Sequence, residues 1–149
     1  MSNSKDMRVI VTGAGAPGIA GTIYALKNNP DNKNVWIMGV DSRENAVGRY
    51  MADAFCTIPM ADNDEYINEL VKIARNNRID VILPQVTSEL DKISSVSNML
   101  RDEGIFSVIS PSGTTNLAND KFMLLNLAHE MDIPCPNYRL VSSEKDLKD

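Results

Sequence analysis

The sequence predicts an α/β domain on a doubly wound, mostly parallel sheet between two helical layers, a three-layer α/β/α architecture of Rossmann-like type. Three observations predict it. Short apolar runs recur at Val9–Val11, Val35–Met38, Val81–Leu83 and Phe106–Ile109, amphipathic segments separate them, and a glycine-rich turn follows the first run directly.

The first three runs are continuous rather than alternating, the pattern of strands buried on both faces. A weaker strand is expected at Phe55–Ile58, before Pro59. Helical patterns cover residues 19–26, 64–75, 89–101 and 121–131. Ile67, Leu70, Val71 and Ala74 share one face of the second, and Met123, Leu124, Leu127, Ala128 and Met131 share one face of the last. Asp62 followed by Glu65 reads as a capping box opening the second helix. Strands alternating with helices call for right-handed crossovers and hence a doubly wound sheet.

Two segments interrupt this rhythm. Residues 110–119 are small and polar and read as a loop, and Ile133-Pro134-Cys135-Pro136 reads as an extended connector, because each proline drives its predecessor out of helix. Asn137–Val141 then reads as the start of another strand, ahead of a charged stretch over 142–149. The expected organisation is a loose tail over 1–7, one domain over 8–133, and a connector over 134–149 that opens a further region.

Composition narrows the function classes. A chain of 149 residues with 43% hydrophobic and 23% charged residues suits one ordinary globular domain. Its net charge of −5 is spread without acidic or basic blocks, so no electrostatic footprint for nucleic acid or anionic lipid is present. A small molecule is the expected partner. The amino terminus is polar and no apolar run reaches the length of a membrane span, so a cytoplasmic protein is expected. Cys56 and Cys135 stand apart, without C-x-x-C or histidine spacing, and read as buried thiols in a reducing compartment rather than as a disulfide or metal ligands.

Three stretches are candidates for chemistry. Gly13-Ala14-Gly15-Ala16-Pro17-Gly18 is a G-x-G-x-x-G between a strand and a helix, the context in which a phosphate approaches backbone amides at a helix N-terminus. Asp41, 23 residues beyond Gly18, lies where a dinucleotide enzyme holds a ribose hydroxyl. The same residues also describe a tight strand-to-helix turn, with Asp41 capping the following turn and Pro17 stiffening the loop. Glu89 lies just past the carboxyl end of the Val81–Leu83 strand, where open α/β sheets bind ligands, and reads either as an acceptor for a substrate amine or as a first-turn acid favoured by the helix dipole. Asn119-Asp120-Lys121 opens the last helix, with Asn119 or Asp120 as N-cap and Lys121 in the first turn, where a cation opposes the dipole. His129, in mid-helix, reads as structural.

Asn119-Asp120-Lys121 opening an apolar helix, followed by Ile133-Pro134-Cys135-Pro136, resembles the junction into the catalytic region of ATP-grasp enzymes. Upstream, Gly13–Gly18, Gly39-Val40-Asp41, Ala52-Asp53 before Phe55, Ile58-Pro59, and Asp80–Pro84 with Glu89 resemble the amino-terminal (preATP-grasp) domain of carbamoyl-phosphate-synthase-like members. The resemblance covers roughly residues 8–141, and departs at Asp132, where the family usually has glycine. It implies the substrate-side domain of an ATP-dependent ligase that activates a carboxylate or bicarbonate as an acyl phosphate for attack by an amine. In that picture Gly13, Ala14, Gly15, Ala16, Pro17 and Gly18 wall the substrate site, Glu89 touches substrate, and Lys121 reaches ATP. ATP and magnesium would belong to a longer enzyme carrying the ATP-grasp region, with none held tightly by these residues, no catalytic residue or metal site among them, and room for a homodimer. The alternatives are an NAD(P)-dependent oxidoreductase or epimerase, supported by Gly13–Gly18 with Asp41, and a non-catalytic ligand-binding module. Whether the gene continues beyond Asp149 separates a ligase from a stand-alone module.

Overall fold

The computed structural model describes residues 6–143, which divide into two compact units, one up to Ser110 and one from Pro111 onward. In the first unit the elements run β1 (Met7–Val11), α1 (Ile19–Lys27), β2 (Val35–Asp41), a 3-10 turn (Val47–Tyr50), β3 (Ala54–Thr57), α2 (Tyr66–Asn76), β4 (Val81–Leu83), a 3-10 turn (Thr87–Glu89), α3 (Leu90–Asp102) and β5 (Phe106–Ser107). The sheet is parallel throughout, in the order β3-β2-β1-β4-β5.

Strand periodicity assigns the two faces. Ile10, Met38, Val40 and Ile82 point to one side, where Leu70, Val71 and Ala74 of α2 and Ile93 and Leu100 of α3 cover them. Val9, Val11, Val35 and Ile37 point to the other, against Ile19 and Ile23 of α1. Full burial of each isoleucine or leucine contributes about 1.5–3 kcal/mol. Arg8 pins the β1–β4 edge: its backbone N–H donates to the Asp80 carboxylate at 2.8 Å, its Nε donates to the Asn77 carbonyl at 2.7 Å, and its guanidinium lies 3.6 Å from the centre of the Trp36 ring. Arg75 and Glu103 pair between the end of α2 and the residue after α3.

Three helix ends follow one pattern. After α2, after α3 and after the helix Lys121–Glu130 a residue with positive φ, Arg78 (50°), Gly104 (80°) or Asp132 (55°), turns the chain back. The next N–H in each case, that of Ile79, Ile105 or Ile133, then donates to the carbonyl five residues earlier, closing a Schellman motif. Asp132 therefore adopts the left-handed conformation that glycine usually supplies.

The second unit holds α4 (Ser112–Asn119) and α5 (Lys121–Glu130). Asp120 is the N-cap of α5, its Oδ1 accepting from the Met123 N–H at 2.9 Å. Phe122 meets Tyr138 edge to face at 5.9 Å, and the Tyr138 hydroxyl donates to Asn126 Oδ1 at 2.8 Å.

Several expectations are corrected. Residues 112–119 form a helix rather than a loop: Thr115 N–H donates to the Pro111 carbonyl, and the first turn starts from proline, whose fixed φ suits that position. The weak propensities of Ser112, Gly113, Thr114 and Asn116 conceal it. The capping box at Asp62 does not form; the Asn63 side chain accepts from the Glu65 N–H at 2.8 Å, and α2 begins at Tyr66 with no side-chain cap on its first turn. Residues 132–141 contain no strand, and of the fourth apolar run only Phe106–Ser107 pairs. Cys56 and Cys135 are half-buried rather than buried. The charged stretch over 142–149 lies mostly outside the described residues.

Candidate substrate cleft

Strand order reverses at β1, whose neighbours β2 and β4 lead to opposite edges, and ligands bind open α/β sheets in the crevice beyond the strand carboxyl ends at such a point. A cleft of about 430 Å³ lies there, formed by Gly13 after β1, Val40–Arg43 at the end of β2, Ile58–Ala61 after β3, and Val86, Ser88 and Glu89 after β4, with Tyr66 of α2.

Glu89 is the best-held group in this wall, with 3% of its surface exposed. Its Oε1 accepts from the Thr12 hydroxyl and from the Gln85 and Val86 N–H groups, both at 2.9 Å, and its Oε2 accepts from the Tyr66 hydroxyl. Through the bond from Val86 N–H the glutamate reaches back to the N-cap residue of the 3-10 turn. Four donors on one side chain are the hydrogen-bonding pattern of a carboxylate. Burial, and then the charge and hydrogen bond of Glu89, push the Tyr66 phenol well above the ordinary tyrosine range. Tyr66 therefore stays a donor to Glu89.

The glycine loop is committed to its own packing. Ala14 N–H donates to Val40 O at 3.0 Å, Gly15 N–H to Asp41 Oδ2 at 2.7 Å, and Ala16 N–H to Gly13 O at 2.8 Å. Gly13 has φ of 54°, and a Cβ there would overlap Val86 Cγ2. A Cβ on Gly15 would overlap Arg43 Nη2. These two glycines admit Val86 and Arg43 as close neighbours.

Asp41 is 8% exposed and tied on both oxygens, Oδ2 to Gly15 N–H and Oδ1 to the Arg43 N–H at 2.9 Å and Arg43 Nε at 3.3 Å. It straps the glycine loop to the end of β2, in the capping role that the sequence also allowed. Of the residues expected at the site, the structure brings Gly13 and Glu89 to the cleft, while Ala14 is buried and Gly15, Ala16, Pro17 and Gly18 lie outside its lining. Lys121 is exposed at the first position of α5 in the second unit, with no hydrogen-bond or ion-pair partner among the described residues. His129 lies near the end of the same helix.

Sequence reasoning gave no site role to Thr12, Tyr66, Arg43 or the Ile58–Ala61 segment, of which Ile58-Pro59 entered only the family resemblance. The available signal was positional: Ser42-Arg43 and Ile58-Pro59 each follow the carboxyl end of a strand beside the glycine turn. Among the described residues no group of three or more histidine, cysteine or acidic side chains is placed to hold a metal ion. No helix of the described residues is long and apolar enough to cross a membrane.

The family model of the PylC-like N-terminal domain matches residues 9–109. Among solved structures, glycinamide-RNase-transformylase T from Mycobacterium tuberculosis superposes with a TM-score of 0.68 at 19% identity, over 95% of this chain and 37% of that one. N5-carboxyaminoimidazole synthetase from Staphylococcus aureus, complexed with ADP, gives 0.63 at 13% identity over 97% and 36%. The biotin carboxylase domain of a single-chain bacterial carboxylase gives 0.64 at 16% over 95% and 33%. These likenesses establish the fold, and the chain spans about a third of the length of these structures. No curated protein matches.

Proposed function

The chain belongs to the PylC-like N-terminal domain family, and from that premise we propose that it is the substrate-side domain of an ATP-dependent carboxylate–amine ligase working through an acyl phosphate. The observation that carries the reading is the cleft at the switch point, where Gly13 and the Glu89 knot stand together beyond the ends of β1 and β4. Glu89 Oε2 carries a single donor and retains acceptor capacity for a substrate amine. In this reading ATP would sit against Lys121 and a following ATP-grasp region, which would also supply the magnesium ligands. Carboxylate or bicarbonate would be phosphorylated there and attacked by the amine, with phosphate leaving. ADP in the synthetase and the carboxylase chemistry named for the third structure support this class.

The dinucleotide reading loses its donors. Asp41, the residue that would hold a ribose, already accepts from Gly15 and Arg43, and the loop amides of residues 14–16 are occupied.

The test is expression of the reading frame extended beyond Asp149. Magnesium- and carboxylate-dependent phosphate release by the extended protein, absent from the 149-residue chain, is the expected result. A frame that stops at Asp149, or turnover by the short chain well above a heat-killed control, would overturn it.

A further inference from the structure

Among the described residues Arg43 is the one lysine or arginine lining the cleft. Its side chain is 63% exposed, and among the described residues its guanidinium bonds only to Asp41, through Nε at 3.3 Å. The terminal nitrogens, which carry four of the five guanidinium N–H donors, are left over. Their position is built by two features: Asp41 tethers Nε from below, and the bare Cα of Gly15 leaves the space that Nη2 occupies. Of the two carboxylates in the lining, Asp41 accepts on both oxygens and Glu89 accepts from four donors of its own surroundings, only one of them on Oε2. Much of the remaining wall is apolar, contributed by Ile58, Pro59, Met60 and Val86.

We propose that Arg43 is the anion-recognising residue of this cleft and that its ligand is a carboxylate carried on an apolar body. The proposal rests on the ligase reading only in treating the cleft as the substrate site. A glycine loop ordinarily recognises anions with its backbone amides, but here the amides of Ala14, Gly15 and Ala16 are spent inside the protein, so the task falls to a side chain. A single guanidinium edge offers two parallel N–H groups, which match the two oxygens of a planar carboxylate. A phosphoryl group would need further donors, which the occupied amides of residues 14–16 do not supply. Arg43 thereby acts as a specificity determinant, selecting an anionic end while Ile58, Met60 and Val86 receive the chain behind it.

The experiment titrates the 149-residue chain with hexanoate, hexanamide and hexylphosphonate, following backbone amide resonances of Gly15, Arg43 and Met60 without nucleotide. Hexanoate should bind saturably and more tightly than hexylphosphonate, and hexanamide should not bind. Arg43→Gln should weaken hexanoate by about tenfold or more, and Arg43→Lys should restore only part of that. Gly15→Ala, which keeps the charge but fills the guanidinium's space, should weaken it comparably, and thermal melts confirm that each variant is folded. Absence of saturable hexanoate binding, equal binding of the amide, tighter binding of the phosphonate, or hexanoate affinity unchanged in Arg43→Gln would each overturn the proposal. Because no ATP is present, failure here leaves the ligase reading standing, and failure of ATP turnover in the extended protein leaves this result standing.

Discussion

Replacing Glu89 by glutamine perturbs the buried knot at constant volume. Three donors meet Oε1 and one meets Oε2, so the amide oxygen must take the Oε1 place, since an amino group there would face the Gln85 and Val86 N–H groups. The amino group then faces Tyr66, whose hydroxyl must reverse to accept. Each charge-assisted bond, worth about 1.5–3 kcal/mol, becomes a neutral one worth about 0.5–1.5 kcal/mol. Relief of the buried charge returns part of the sum, leaving a net loss of about 2–4 kcal/mol. For a chain of this size that lowers the melting temperature by about 5–15 °C, measured by far-UV circular dichroism at neutral pH and checked by urea titration with the slope unchanged. Tyr66→Phe, which removes only the Oε2 donor, should cost about 1–2 kcal/mol, and the double variant should fall short of the sum of the two. A Glu89→Gln midpoint within about 2 °C of the parent would refute the reasoning.

Gly13→Ala should destabilise by about 2–4 kcal/mol through left-handed strain and overlap with Val86, and adding Val86→Ala should recover only the overlap, read from urea midpoints. Burial pushes the Asp53 carboxyl up, but hydrogen bonds from Lys27 and the Ile37 N–H outweigh it and hold the group below the ordinary carboxylate range. Its stabilisation is therefore complete above the unfolded pKa of about 3.9 and lost as pH falls through the lower folded value, so the melting difference between parent and Asp53→Asn should shrink in acid; a constant difference would refute the cause. Lys121→Ala, which removes a cation from a helix N-terminus, should leave the melt unchanged or slightly raised while weakening ATP binding to the extended protein by about tenfold. Calorimetric titration with NAD or NADP should show no saturable binding; micromolar affinity lost in Asp41→Ala would reinstate the dinucleotide reading.

The layers of this fold were legible because burial on both faces leaves a continuous apolar run, as at Val9–Val11 and Val81–Leu83, and because Leu70, Val71 and Ala74 repeat at helical spacing. The helix at 112–119 was not, since serine, glycine, threonine and asparagine carry no apolar stripe and proline geometry starts its first turn. At the site, sequence position singled out Gly13 and Glu89, but not the bonds that occupy them. Thr12 and Tyr66 lie 77 and 23 residues from Glu89, and only the pairing of β1 with β4 and the seating of α2 bring them together. Asp41 misled for a related reason: a carboxylate at the end of β2 accepts a loop amide and a ribose hydroxyl equally well, and spacing cannot say which donor arrives first.

The arginine stacked on Trp36 has a spectroscopic consequence. Trp36 is the sole tryptophan in the sequence and sits on β2, within the first unit. Its indole emission, excited at the red edge where tyrosines stay dark, therefore reports on the surroundings of β2 in the first unit. Far-UV ellipticity sees both units. Superimposed fluorescence and ellipticity melts would mean that β2 and the helices lose structure in one cooperative step, whereas an earlier ellipticity transition would show helix lost while Arg8 still covers the indole.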